Sequence, residues 1–156
     1  PFASVEEMNR ALIEAWNRTV RPRDYIYFLG DFCFSNGERL KEFFEKLNGR
    51  ITVVLGNHDP GNTIWDSRRV QAVYDYYEFR YNKWKFCLMH YPLREWNKMQ
   101  RGAVHLHGHV HGKFDQVPWG RSFDVGVDSR VFTEDYRPVS IDEVIDKAQT
   151  RPILKH

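Results

Sequence analysis

Two short apolar runs constrain this chain more than any other feature, Tyr25-Ile-Tyr-Phe-Leu29 and Ile51-Thr-Val-Val-Leu55. Neither alternates apolar with polar, as a half-solvated strand would, so each reads as a strand buried on both faces. Both are followed at once by glycine and polar residues, Gly30-Asp31 and Gly56-Asn-His-Asp59. Strand followed by polar loop, repeated and interleaved with stretches at helical spacing, predicts an α/β fold.

Ser4 with Glu7 has the form of a capping box, and Met8, Leu12, Ile13, Trp16 and Val20 then recur at helical spacing, so a first helix is expected over residues 5–20. A second is expected at about 38–47, closed by Asn48-Gly49. Strands are expected at 74–81 and 84–89, joined by Asn82-Lys83 as a hairpin, then at 103–106 and 122–127. Ser140 with Glu143 caps a last helix running to about 149. The chain has no repeat or linker, and its 156 residues suit one domain over 1–156.

Several function classes lose support here. A net charge of +2 gives no bulk attraction for nucleic acid, and no basic segment is interleaved with Trp65, Trp84, Trp96 or Trp119, which read as packing residues. No apolar run approaches the length of a bilayer span, so no membrane partner is expected. Cys33 and Cys87 cannot make a disulfide framework, which predicts a reduced, cytoplasmic protein.

The chemistry collects at predicted strand ends. Four of the seven histidines, His105, His107, His109 and His111, stand in "HLHGHVHG", where alternation in an extended segment would put rings on one side. Asp31, Asn57, His58, Asp59 and His90 fall just beyond other strands, in the loops that line the ligand crevice of an α/β sheet. Taken singly these are turn residues or core-edge histidines. Taken together, a carboxylate, a carboxamide and several imidazoles make the mixed oxygen and nitrogen shell preferred by Mn, Fe or Zn, without the thiolates of a structural zinc site.

Gly30-Asp31, Gly56-Asn-His-Asp59, His90 in "LMHYP" and Gly108-His-Val-His111 resemble, in order and spacing, the motifs of the calcineurin-like metallophosphoesterases. "GVD" at 126–128 and "PVSIDEV" at 138–144 look like the short, stand-alone bacterial and phage members. The resemblance implies two mixed β-sheets packed as a sandwich and flanked by helices. Between them it implies two divalent transition-metal ions, with Mn favoured, that activate a hydroxide to hydrolyse phosphomonoesters or phosphodiesters. The substrate would be a phosphorylated small molecule or nucleotide. By position, Asp31 would bridge the metals, Asn57, His90 and His109 would complete one shell, and His111 would ligate the other metal. His58 would serve as proton donor or charge stabiliser beside the phosphate, oriented by Asp59. Arg94 and Arg101 are further candidates to meet phosphate.

The family also opens with a strand ending in Asp-x-His, and no such motif precedes Asp31. The expectation is therefore that this first strand is missing from residues 1–156. That leaves four protein ligands at one metal and two at the other, so residues 1–156 should bind one metal tightly. The alternative from another class is a non-catalytic domain that keeps a single metal site for structural or binding purposes.

Overall fold

The computed structural model describes residues 2–31, 37–59, 67–115, 118–132 and 134–155. Cys33, Trp65 and the loop containing Pro60 and Gly61 lie outside them. Helix α1 (Val5–Thr19) leads into β1 (Tyr25–Phe28), followed by α2 (Gly37–Glu45), β2 (Arg50–Val54) and β3 (Val70–Tyr74). Then come β4 (Tyr76–Tyr81), β5 (Trp84–Met89), β6 (Val104–His107), β7 (Ser122–Asp124) and α3 (Ile141–Gln149).

The strands form two sheets, ordered β1-β2-β3 and β4-β5-β6-β7. The expected α/β architecture of two sheets with helices is present. The three-stranded sheet is parallel throughout, and mixed pairing is confined to the four-stranded one, where β4 and β5 are antiparallel and β5-β6-β7 parallel.

Local chemistry accounts for most boundaries. The Ser4 hydroxyl accepts the Glu7 N–H at 3.1 Å and starts α1. The Trp16 indole N–H donates to the Asn48 carbonyl at 2.9 Å, tying α1 to the turn before β2. At α3, Ser140 and Glu143 form both halves of a capping box. Asn82 takes the left-handed conformation (φ 51°) that a tight hairpin demands.

Two expected strands differ. Residues 74–81 are not one strand: Val70–Tyr74 joins the first sheet, the chain bends at Asp75, and Tyr76–Tyr81 opens the second. The aromatic run continues across that corner, and an apolar pattern carries no mark of a change of sheet. The strand expected over 122–127 stops at Asp124, whose Oδ1 accepts the Gly126 N–H at 2.8 Å and turns the backbone out of the ladder.

The main core lies between the sheets, where Leu29 and Val54 meet Phe86, Leu88, Val104, Leu106 and Phe123, with Val144 and Ala148 from α3. Phe44, Leu47, Ile51 and Val53 pack with Ile13 and Trp16 of α1 on the other side of the parallel sheet. Cys87, a free thiol, is buried with Trp96, Met99 and Ala103 in a third cluster. Among the described residues, no helix is long and apolar enough to cross a membrane.

Candidate metal centre

The loops leaving β1 and β2 touch backbone to backbone. Gly30 has φ +84°, and a Cβ there would overlap the backbone N and Cα of Gly56. A Cβ on Gly56 would in turn overlap the backbone N and Oδ1 of Asp31. Only glycine fits this close approach. One carboxylate then joins the two loops: Asp59 Oδ2 accepts the N–H of Asp31 and the N–H of Gly56, each at 2.8 Å. Asp31 Oδ1 accepts the His58 N–H at 2.9 Å, so the Asp31 carboxylate is held from one side.

The floor of the site is His90, just beyond β5 and 1% exposed. Its Nδ1–H donates to the Leu29 carbonyl at 2.7 Å, across from one sheet to the other. That bond leaves a lone pair on Nε2. Nε2 stands 3.1 Å from Asn57 Oδ1, 3.1 Å from Asp31 Oδ2 and 3.2 Å from His109 Nδ1. Ligand atoms of Asp31, His90 and His109 all lie within 4.8 Å of one another.

Oxygen and nitrogen lone pairs do not gather at such distances without a proton or cation among them. Bonds of about 2.1 Å in octahedral or tetrahedral arrangement separate ligand atoms by about 3.0–3.4 Å, the spacing found here. The residues present therefore fit a divalent transition metal. The Leu29 carbonyl gives His90 the outer hydrogen bond that metal-ligating imidazoles usually have. Asn57 and His109 are exposed above the buried His90, so the group opens to solvent on one side.

The histidine cluster divides. β6 ends at His107, and His109 and His111 adopt left-handed backbone (φ 67° and 51°), so the expected alternation onto one side ends there. Asp31 is left-handed as well (φ 57°). Such conformations cost roughly 1–2 kcal/mol each and concentrate where function fixes the chain. His109 joins the group on His90. His111 stands outside that group, its Nδ1–H donating to Asp128 Oδ2 at 2.7 Å with both side chains exposed.

His105 is structural. It donates from Nδ1 to the Cys87 carbonyl at 3.0 Å and accepts the Leu93 N–H at Nε2, also 3.0 Å; burial pushes its pKa down to about 4. His107 is buried too, with its pKa lowered first by that burial and its Nδ1–H donating to the Gly108 carbonyl at 3.1 Å.

The structure thus brings Asp31, Asn57, His90 and His109 together and sets His58 beside them through its backbone. Two roles escaped sequence reasoning. Asp128 pairs with His111, for which "GVD" was the only signal. Asp59 joins two loops through backbone amides, which no side-chain pattern announces.

Comparison with known proteins agrees with this geometry. The profile of the calcineurin-like phosphoesterases matches residues 5–119. The uncharacterized protein MJ1445 of Methanocaldococcus jannaschii is 35% identical over 158 aligned positions, which cover 99% of this chain and 83% of that relative. The crystal structure of AQ665, a protein of unknown function from Aquifex aeolicus, superposes with a TM-score of 0.71. It shares 22% identity and covers 94% of this chain and 88% of its own, a likeness of fold.

Proposed function

The chain belongs to the calcineurin-like phosphoesterase family, and on that premise we propose that it hydrolyses phosphate esters at the centre built on His90. The observation that carries the reading is the convergence of Asp31, Asn57 and His109 on one imidazole nitrogen. These four residues hold one divalent ion, with Mn favoured for the oxygen and nitrogen donor set. A second ion would be held by Asp31 and by His111, whose ring is fixed by Asp128. When bound, the two ions supply Lewis acidity toward phosphoryl oxygens and a water activated at neutral pH.

The remaining work falls to the chain. Asp31 keeps its orientation through the His58 N–H on Oδ1, and that same bond seats His58 at the exposed rim. From there His58 donates a proton to the departing ester oxygen. Asp59 holds the loops of Asp31 and Gly56 in register, which keeps donor and carboxylate at a fixed offset. The substrate is a phosphorylated small molecule or nucleotide, reached from the solvent side. The buried free thiol of Cys87 suits a reducing compartment such as the cytoplasm.

One observation favours a second reading: among the described residues a single group of three metal-capable side chains is present, and His111 is not in it. A domain using one ion for structure or binding would have that appearance. Elemental analysis and turnover separate the two. With the family's Asp-x-His strand, which residues 1–156 do not contain, supplied upstream, the phosphoesterase reading expects Mn-dependent hydrolysis of bis(p-nitrophenyl) phosphate or p-nitrophenyl phosphate that chelation abolishes. One tightly held ion with no hydrolysis of either ester by that extended protein would favour the second reading.

A further inference from the structure

A second feature is built from residues that neighbour the centre in sequence without belonging to it. A cleft of about 380 Å³ lies among His107, Asp124, Phe114, Trp119, Arg94 and neighbouring residues. Its volume is within the range of small-molecule sites. Two of its polar side chains, His107 and Asp124, are each only 4% exposed, and their positions are paired in the β6–β7 ladder. His107 donates through Nδ1, and among the described residues no hydrogen bond reaches its Nε2, which is left as an acceptor. Asp124 is fixed by the N–H groups of Gly112 and Gly126, each at 2.8 Å, and retains further lone pairs. The polar floor therefore accepts hydrogen bonds and asks for a ligand that donates them.

The walls are aromatic and open. Phe114 is 52% and Trp119 45% exposed, so both present ring surface to solvent. Trp119 is nevertheless anchored. Its indole N–H donates to the Arg94 carbonyl at 2.8 Å, and the Arg94 guanidinium lies 5.9 Å from the ring centre. A flat ring carrying N–H donors matches both parts, since it stacks on the indole and donates to the floor.

The cleft also adjoins the centre along the chain. His107 precedes the ligand His109 by two residues, and Asp124 grips the N–H of the residue after His111. Pro92 and Leu93, which follow His90, line it too.

We propose that this cleft receives the nucleobase of a nucleotide whose phosphate is held at the His90 centre. Guanine is the best match, because its N1–H and amino group are adjacent donors. The placement of the phosphate rests on the phosphoesterase reading, whereas base recognition by the cleft does not.

Calorimetry tests the two separately. In chelator, guanosine should bind the wild-type protein, and with Mn present guanosine 5′-monophosphate should bind at least tenfold more tightly than ribose 5-phosphate. Trp119→Ala, a change at an exposed position, should weaken guanosine binding by about tenfold, in line with the loss of one stacking partner. Phe114→Ala provides a second exposed variant with the same expected direction. Guanosine binding that depends on Trp119 in a protein hydrolysing no phosphate ester would keep the cleft and discard the phosphoesterase reading. Equal affinity for guanosine 5′-monophosphate and ribose 5-phosphate, or guanosine affinity indifferent to both variants, would overturn the proposal.

Discussion

Asp59 accepts the backbone N–H of Asp31 at 2.8 Å, and the same oxygen accepts that of Gly56. A residue that carries a metal-capable carboxylate is thus positioned by another carboxylate acting on main chain. Asp59→Ala leaves two amides without their charged acceptor and should cost about 2–3 kcal/mol in urea unfolding. It should also weaken Mn binding by roughly 10–100-fold, the usual effect of losing a residue that supports a ligand. Asp59→Asn keeps an acceptor oxygen and should retain most of the stability. Equal damage from both changes would mean that the charge, rather than the acceptor geometry, holds the loops.

Gly30→Ala is expected to be among the most damaging single-methyl additions in the protein. Its left-handed backbone alone costs about 1–2 kcal/mol with a side chain, and the overlap with Gly56 adds roughly 1–3 kcal/mol. Gly126→Ala is the control, because a Cβ there meets only Asp124 Oδ1, at 3.0 Å. Thermal unfolding in chelator compares them, and a Gly30→Ala protein as stable as Gly126→Ala would contradict the close approach.

His58 and His90 should fail in different ways. His90→Ala removes the atom on which the other donors converge and should lower bound metal by two or more orders of magnitude. In a protein that also carries the Asp-x-His strand, His58→Ala should leave metal content near wild type and depress turnover by about 10²–10⁴-fold. Elemental analysis beside steady-state rates reads both. Equal metal loss in the two variants would make His58 a ligand.

Stability should fall in mild acid for an identifiable reason. Burial holds the folded pKa of His105 at about 4, below its ordinary 6.5, and lowers that of His107 as well. The unfolded chain therefore binds the extra protons first. The contribution is intact above pH 6.5 and is lost as pH falls toward 4, by about 3 kcal/mol for His105. Glu143, held at about 2 by Arg137, matters only below about pH 4.5. Urea midpoints at pH 7 and pH 4.5 measure the difference, and a flat profile across that interval would deny His105 its buried neutral state.

Much of this protein was legible in its residues, though unevenly. Unbroken apolar runs marked β1 and β2 to within about a residue, and the hairpin signal marked β5, but β1 is an edge strand with Tyr25 exposed and the rest only part-buried rather than buried on both faces as expected. The capping-box pattern did the same for α1 and α3, although only α3 completes the box: at α1 the Glu7 carboxylate accepts the Ala3 N–H instead of that of Ser4. The corner at Asp75 was invisible because tyrosines stand on both sides of it, Tyr74 ending β3 and Tyr76 and Tyr77 opening β4. Among site residues, the Asp31, Asn57, His90 and His109 positions followed from strand ends, whereas the separation of His109 from His107 did not. Left-handed backbone at His109 and His111 breaks the alternation, and no histidine declares its φ in a sequence.

The bond from His90 to the Leu29 carbonyl joins residues 61 apart in sequence, each just beyond the end of a strand in a different sheet. Each sheet could in principle form its own ladders before the two meet, yet neither alone owns a complete set of donors. Ion affinity would then be a property of the docked pair, absent until the two sheets meet. A metal-sensitive probe during refolding would report the instant at which the interior closes, while far-UV ellipticity would already have risen. In the cell, an excess of the right cation would select for correctly closed molecules, because only they could retain it.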